Sequence, residues 1–114
     1  MGPFLQVSGK WDMVQSNGFR VLIDVTQEED RLRAFATHSA GRVKSLDANG
    51  VVRGPQFEIT ITWNDGSKGK YNATLEQGVF DNPGQGFLKG RTEDLNHPGS
   101  AADWFSEGRV FFMA

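Results

Sequence analysis

The fold class is decided by the stretch FEITITW, residues 57 to 63, in which apolar and polar side chains alternate without exception. Successive side chains of a β-strand point to opposite faces, so the odd-numbered residues from Phe57 to Trp63 would share one buried face. A polar turn signal follows at residues 64 to 67, and it predicts a hairpin that leads into a returning strand. The stretch therefore predicts an antiparallel sheet with one dry and one wet face.

Similar short runs recur along the rest of the chain, separated by glycine and asparagine turn signals, and no long segment has helical periodicity. Asn49-Gly50 predicts a bend or hairpin after a weaker strand that begins at Val43. About eight strands with short connections predict an all-β fold, an antiparallel up-and-down eight-stranded barrel, with a two-sheet sandwich as the alternative. The other predicted strands cover Phe19–Val25, Leu32–Ser39, Tyr71–Leu75, Phe87–Glu93 and Trp104–Phe112.

Length and composition limit the number of domains and the classes of partner. A length of 114 residues without internal repeats or a linker predicts one domain over residues 1–114. The formal net charge of -2, with both signs interspersed, gives no basic field, so we expect no nucleic-acid partner. Basic residues between Arg20 and Arg53 leave an oligonucleotide-binding barrel as a minor alternative. No apolar run approaches the roughly 20 residues that span a bilayer, so we expect no membrane partner.

The residues that usually carry catalysis are sparse. The chain has no cysteine and two histidines, His38 and His97. His97 lies near Asp94 in a loop, but a metal site needs at least three convergent ligands and acid-base chemistry needs a positioned substrate. We therefore predict no catalytic residues, no metal, no cofactor and no enzymatic activity.

Two short segments at opposite ends of the chain suggest a family. Gly9-Lys10-Trp11, which opens the first strand, and Arg109 in the last strand resemble the calycin signature, in which a tryptophan closes one barrel end beneath an arginine. A guanidinium over an indole face gains a cation–π attraction, which explains the pairing physically. The resemblance implies that Trp11 and Arg109 form a structural barrel end.

Further matches, in the right order, resemble the avidin family. Ile59–Asn64 is similar to the family's strand that ends in a ligand-facing tryptophan, here Trp63. Gly69-Lys70-Tyr71, Phe87-Leu88 and Trp104 are similar to the segments that follow. The resemblance implies a streptavidin-like, lipocalin-like barrel that binds a small ligand at its mouth and forms a homo-oligomer through its outer wall.

The avidin ligand itself is not expected here. The polar residues that hold biotin in the family would fall on Met13, Phe35 and Phe112, and these side chains offer no oriented hydrogen bonds. We instead predict a non-enzymatic binding module that holds another small molecule or a sugar at the barrel mouth. The alternative is a filled structural barrel that acts through oligomer or protein-partner contacts on its outer wall. The predicted ligand-binding residues are Trp63, Trp104, Phe87, Asn17, Ser16, Thr37 and Ser67.

Overall fold

A computed structural model describes residues 4–76, 85–107 and 110–113. This part of the chain forms strands and turns, and it contains no helix that could span a membrane. The strands are β1 (Leu5–Gln6), β2 (Gly9–Gln15), β3 (Arg20–Glu28), β4 (Arg31–His38), β5 (Val43–Arg53), β6 (Gln56–Trp63), β7 (Lys68–Glu76), β8 (Gln85–Asp94), β9 (Ala101–Glu107) and β10 (Phe111–Met113).

The strands β2 to β9 close into a barrel. Each pairs antiparallel with the next in sequence, and β9 pairs with both β8 and β2. The closing register places Asp12 opposite Glu107 and Gln15 opposite Trp104. Closure leaves none of these eight strands with an exposed edge. The prediction of an all-β, antiparallel, eight-stranded barrel is therefore confirmed.

The two short outer strands extend the barrel at one end. β10 pairs with β8 and β1 pairs with β10, which repeats the pairing of β9 with β8 and β2. The first and last barrel strands are thus each built from two pieces. This corrects the prediction of one continuous strand from Trp104 to Phe112, because β9 ends at Glu107 and β10 begins at Phe111. Arg109 lies outside the described residues.

The prediction of a bend at Asn49-Gly50 is wrong. Both residues lie inside β5 and pair with β6, and the hairpin turn comes later, at Gly54, whose φ is 54°. The reason for a glycine at position 50 is a close approach between strands. A Cβ there would lie 1.9 Å from the Glu58 carbonyl oxygen, far inside van der Waals contact, so no larger residue fits without a backbone shift.

Aromatic side chains fill one half of the barrel. The predicted buried face of β6 is buried, with Phe57 at 1% and Trp63 at 4% exposure. The ring of Trp11 lies 5.0 Å from that of Phe111, 5.7 Å from that of Phe57 and 6.3 Å from that of Trp104. Edge-to-face and stacked packing at these distances excludes water. The barrel end that holds β1 and β10 is therefore solid.

Candidate ligand-binding site

The opposite end of the barrel holds a cavity of about 310 Å³. Three turns contribute to its lining, at residues 16–19, 64–67 and 95–100, and residues of β2, β4, β6, β7, β8 and β9 form its walls. Its volume lies at the lower end of the range for small-molecule sites, roughly 300 to 1,000 Å³. The lining residues are Gln15, Asn17, Phe19, His38, Trp63, Asp65, Ser67, Lys68, Gly69, Tyr71, Thr92, Glu93, Asp94, Ser100, Ala101 and Ala102.

Trp104 separates this cavity from the aromatic core. It is 1% exposed, and its indole N–H donates to the carbonyl oxygen of Arg91 at 3.2 Å. Its ring packs edge-on against that of Tyr71, with centroids 6.1 Å apart. Tyr71 lines the cavity and Trp104 does not. The barrel interior is thus filled as far as Trp104 and open above Tyr71.

The floor of the cavity is polar. Gln15 and Thr92 are 9% and 8% exposed and flank the hydroxyl of Tyr71. The amide of Gln15 donates to that hydroxyl across a long 3.5 Å, and the side chain of Thr92 also hydrogen-bonds it. Burial raises the pKa of Tyr71, although both hydrogen bonds oppose the rise. The floor therefore offers a neutral hydroxyl and an amide as donors or acceptors.

One wall of the cavity is a row of three rings. His38 lies between Phe19 and Trp63, with centroids 4.6 Å away on each side and tilted or edge-on packing. Partial burial lowers the pKa of His38, and the negative charge of Asp65 only partly offsets this. Because its ordinary value is 6.5, His38 is neutral at pH 7, and the wall carries no charge there.

Trp63 is the one tryptophan whose indole N–H makes no hydrogen bond within the described residues. The N–H groups of Trp11 and Trp104 donate to backbone carbonyls, whereas no hydrogen bond of the described residues uses that of Trp63. Among the described residues no fully buried side-chain nitrogen or oxygen lacks a partner. The Trp63 nitrogen is therefore accessible, in a side chain that is only 4% exposed and lines the cavity.

Carboxylates dominate the rim. Asp65 accepts hydrogen bonds from the Ser67 hydroxyl at 2.6 Å and the Ser67 backbone N–H at 2.9 Å, and these lower its pKa. Asp94 accepts from the backbone N–H of Asn96 at 2.9 Å and contacts Nδ1 of His97 at 3.0 Å, which likewise lowers its pKa. Both groups are ionised at neutral pH. In the described part of the chain, no three histidine, aspartate or glutamate side chains converge as a metal site.

The structure places the predicted ligand-binding residues in three different locations. Trp63, Asn17 and Ser67 line the cavity, whereas Trp104 lies beneath its floor. Ser16 is exposed in the turn after β2 and does not line the cavity, since its backbone N–H is bonded to the carbonyl of Asp103.

Thr37 and Phe87 face away from the cavity. Both occupy strand positions whose neighbours, Ala36 and Leu88, are fully buried. Since adjacent side chains alternate, Thr37 and Phe87 belong to the outer face. Thr37 lines a groove on the outer wall, and Phe87 pairs with Glu76 at the far end of β7. The structure does not bring these two residues to the cavity, because neither a position along the chain nor a family resemblance fixes the parity of a strand.

Strand parity also affects the argument against biotin. Phe35 and Phe112 were aligned with ligand-holding positions, but they are 53% and 44% exposed on the outer surface. Because Phe35 and Phe112 lie outside the cavity, their lack of polar groups does not exclude any ligand from it. Met13 is fully buried and does not line it. For the predicted barrel end, Trp11 lies in the aromatic core, and its partner Arg109 is outside the described residues.

Sequence reasoning missed Gln15, His38, Tyr71 and Thr92 as site residues. A usable signal was present, because each continues the inward parity of an apolar strand. Gln15 follows Trp11 and Met13 at two-residue spacing, at the end of β2. Polar residues that keep the inward parity of a barrel strand near its end mark a polar cavity.

Comparison with known proteins supports the architecture. No protein-family model matches the chain, and no curated protein matches its sequence. The solved structure of a low-affinity mutant of shwanavidin is similar over 96% of this chain and 97% of that one, with a TM-score of 0.56 and 13% identity. The apo form of shwanavidin is similar over the same shares, with a TM-score of 0.55 and 14% identity. The chain therefore has the fold of the avidin-like barrels.

Proposed function

We propose that this protein is a non-enzymatic binding module that takes one small molecule into the open end of its barrel. The observation that carries the proposal is the change of the interior at Trp104, from solid aromatic packing to a 310 Å³ cavity. A barrel that served only as a scaffold would gain stability by filling this space. Instead the space is lined by rings and by polar groups, the combination that binds and orients small ligands.

The side chains around the cavity suit a compact ligand with its own polar groups. Rings from Phe19, Trp63 and Tyr71 offer apolar contact, the floor offers hydroxyl and amide groups, and the indole N–H of Trp63 offers a donor from the wall. A sugar or a similarly sized polar molecule would satisfy these groups better than a long lipid chain. Unpaired donors buried by a wholly apolar ligand would cost about 1–3 kcal/mol each.

Tryptophan fluorescence and calorimetry test the proposal. Titration with biotin, mono- and disaccharides and a lipophilic dye should give saturable binding of at least one compound. Thr92→Val should weaken that binding several-fold, because it removes a hydroxyl from the cavity without changing the side-chain shape. Thr37→Val makes the same change on the outer wall and should leave affinity unaltered. No binding across the panel, or equal effects of the two variants, would refute the proposal.

The alternative function, through contacts on the outer wall, has one observation in its favour. Leu22 and Phe35 are 49% and 53% exposed on neighbouring strands and line a groove of about 340 Å³. Exposed apolar patches often mark protein interfaces. Light scattering of the purified protein would test this function, with Phe35→Ser as the variant expected to dissociate an assembly. A monomer at all concentrations would remove the homo-oligomer form of it.

A further inference from the structure

The mouth of the cavity carries an excess of negative charge. Asp65 and Asp94 place their carboxylates there, and among the described residues Lys68 is the only lysine or arginine that lines the cavity. Glu93 also lines it, but it follows the inward-facing Thr92, so its carboxylate belongs to the outer face. Asp65 lies in the turn at residues 64–67, and Asp94 ends β8 just before the turn at 95–100. The two turns are joined where the side-chain amide of Asn96 donates to the Gly66 carbonyl at 2.9 Å. Because hydrogen bonds lower the pKa of both carboxyls, these two charges persist at neutral pH.

The rings beside these carboxylates are suited to a positive group. Phe19 is 36% exposed at the mouth, and His38 packs between it and Trp63. The negative faces of aromatic rings attract cations, and cages of rings are a recurrent solution for organic ammonium groups. Partial burial lowers the pKa of His38, so that ring adds no opposing charge at neutral pH.

A separate observation points to a ligand oxygen in the cavity. The indole N–H of Trp63 makes no hydrogen bond to any described residue although the side chain is 4% exposed, and it can only donate. A hydroxyl or carbonyl oxygen of a ligand would satisfy it. The polar floor of Gln15, Tyr71 and Thr92 extends the same hydrogen-bonding surface.

We infer that the ligand is a small organic ammonium compound that carries a hydroxyl or carbonyl oxygen. The ammonium group lies at the mouth, near Asp65 and against the rings, and the oxygen accepts from Trp63. This inference rests on the proposed function, since it names the chemical class that the same cavity takes. A neutral sugar could hydrogen-bond to the floor of the cavity but would leave the negative charge at the mouth unpaired, and an anion would be repelled by the carboxylates of Asp65 and Asp94.

Choline and its uncharged isostere 3,3-dimethyl-1-butanol separate charge from shape. Calorimetric titration at low ionic strength should show at least tenfold tighter binding of choline, and added salt should narrow the difference. Asp65→Asn keeps an oxygen that can accept from Ser67 while removing the charge, and it should reduce the choline preference at least threefold. Glu28→Gln makes the same charge change at the other barrel end and should leave the preference intact. Circular dichroism establishes that both variants are folded.

The outcomes separate this inference from the proposed function. Equal affinity for choline and its isostere, or equal effects of Asp65→Asn and Glu28→Gln on the choline preference, would overturn the inference. The proposed function would still stand in that case if any compound of the panel bound. Binding of neither these two compounds nor any member of the sugar, biotin and dye panel would overturn both. Loss of choline affinity in Trp63→Phe, with the isostere equally weakened, would support the predicted contact between the indole N–H and the ligand oxygen.

Discussion

Replacement of Trp104 by alanine should be among the most destabilising single changes in this protein. The side chain is 1% exposed, packs against Trp11, Phe57 and Tyr71, and donates a hydrogen bond to Arg91. Truncation of a buried tryptophan costs about 3–5 kcal/mol. Three aromatic contacts, each worth about 0.5–1.5 kcal/mol beyond burial, and the lost hydrogen bond to the Arg91 carbonyl place the expected loss near the top of that range, about 5 kcal/mol.

Equilibrium urea unfolding followed by far-UV circular dichroism measures this loss. With a slope of about 2 kcal/mol per molar urea, the midpoint should fall by roughly 2.5 M. Phe105→Ala is the matched control, because Phe105 is the next residue along β9 and is 42% exposed on the outer face. It should cost far less, about 1 kcal/mol or below. A Trp104→Ala midpoint no lower than that of Phe105→Ala would refute the assignment of Trp104 as the buried ring beneath the floor of the cavity.

Two further predictions concern pH and backbone approach. Burial lowers the pKa of His38 below 6.5 in the folded state, so the unfolded chain binds more protons than the folded one as pH falls through 6.5. The free energy of unfolding should therefore decrease with falling pH until the pH passes the folded pKa. Urea midpoints measured from pH 8 to 5 should fall less in His38→Asn than in the parent, and parallel curves for the two proteins would contradict this. Gly50→Ala should lower the free energy of unfolding by about 1–3 kcal/mol, because the added methyl group forces β5 away from the Glu58 carbonyl. Gly66→Ala meets no atom within 4 Å and measures the separate cost of a positive φ of 91°. A urea midpoint of Gly50→Ala equal to the parent's would show that no clash exists.

The fold was predictable because its signals are local. Alternation from Phe57 to Trp63 and the turn at residues 64 to 67 survive intact in the structure. Barrel closure could be expected from strand number and short connections alone. The internal position of Gly50 was not predictable in the same way, because the close approach of Glu58 depends on the pairing of two strands. A glycine after an asparagine reads as a turn unless that pairing is known.

The candidate site was only partly predictable. Trp63 was identified correctly as cavity-lining, but Thr37 and Phe87 were placed on the wrong face. A slip of one residue in strand parity moves a side chain through the wall of a barrel, so short motif matches locate a strand without fixing which side of it faces inward. His38 went unassigned because its role depends on Phe19 and Trp63, which only the closed barrel brings beside it.

The seam between β2 and β9 has a consequence for how the chain folds. Every other pairing in the ring joins strands that are consecutive in sequence, whereas the seam joins Asp12 to Glu107. Hairpins can form as their strands are synthesised, but the pairing of β2 with β9 requires almost the entire chain. It closes a long loop in a single step, which has a large entropic cost. The seam strands should therefore be the last to gain protection from amide hydrogen exchange during refolding. Until they do, β2 and β9 present the only open ladder edges of the ring, and aggregation during synthesis would begin there.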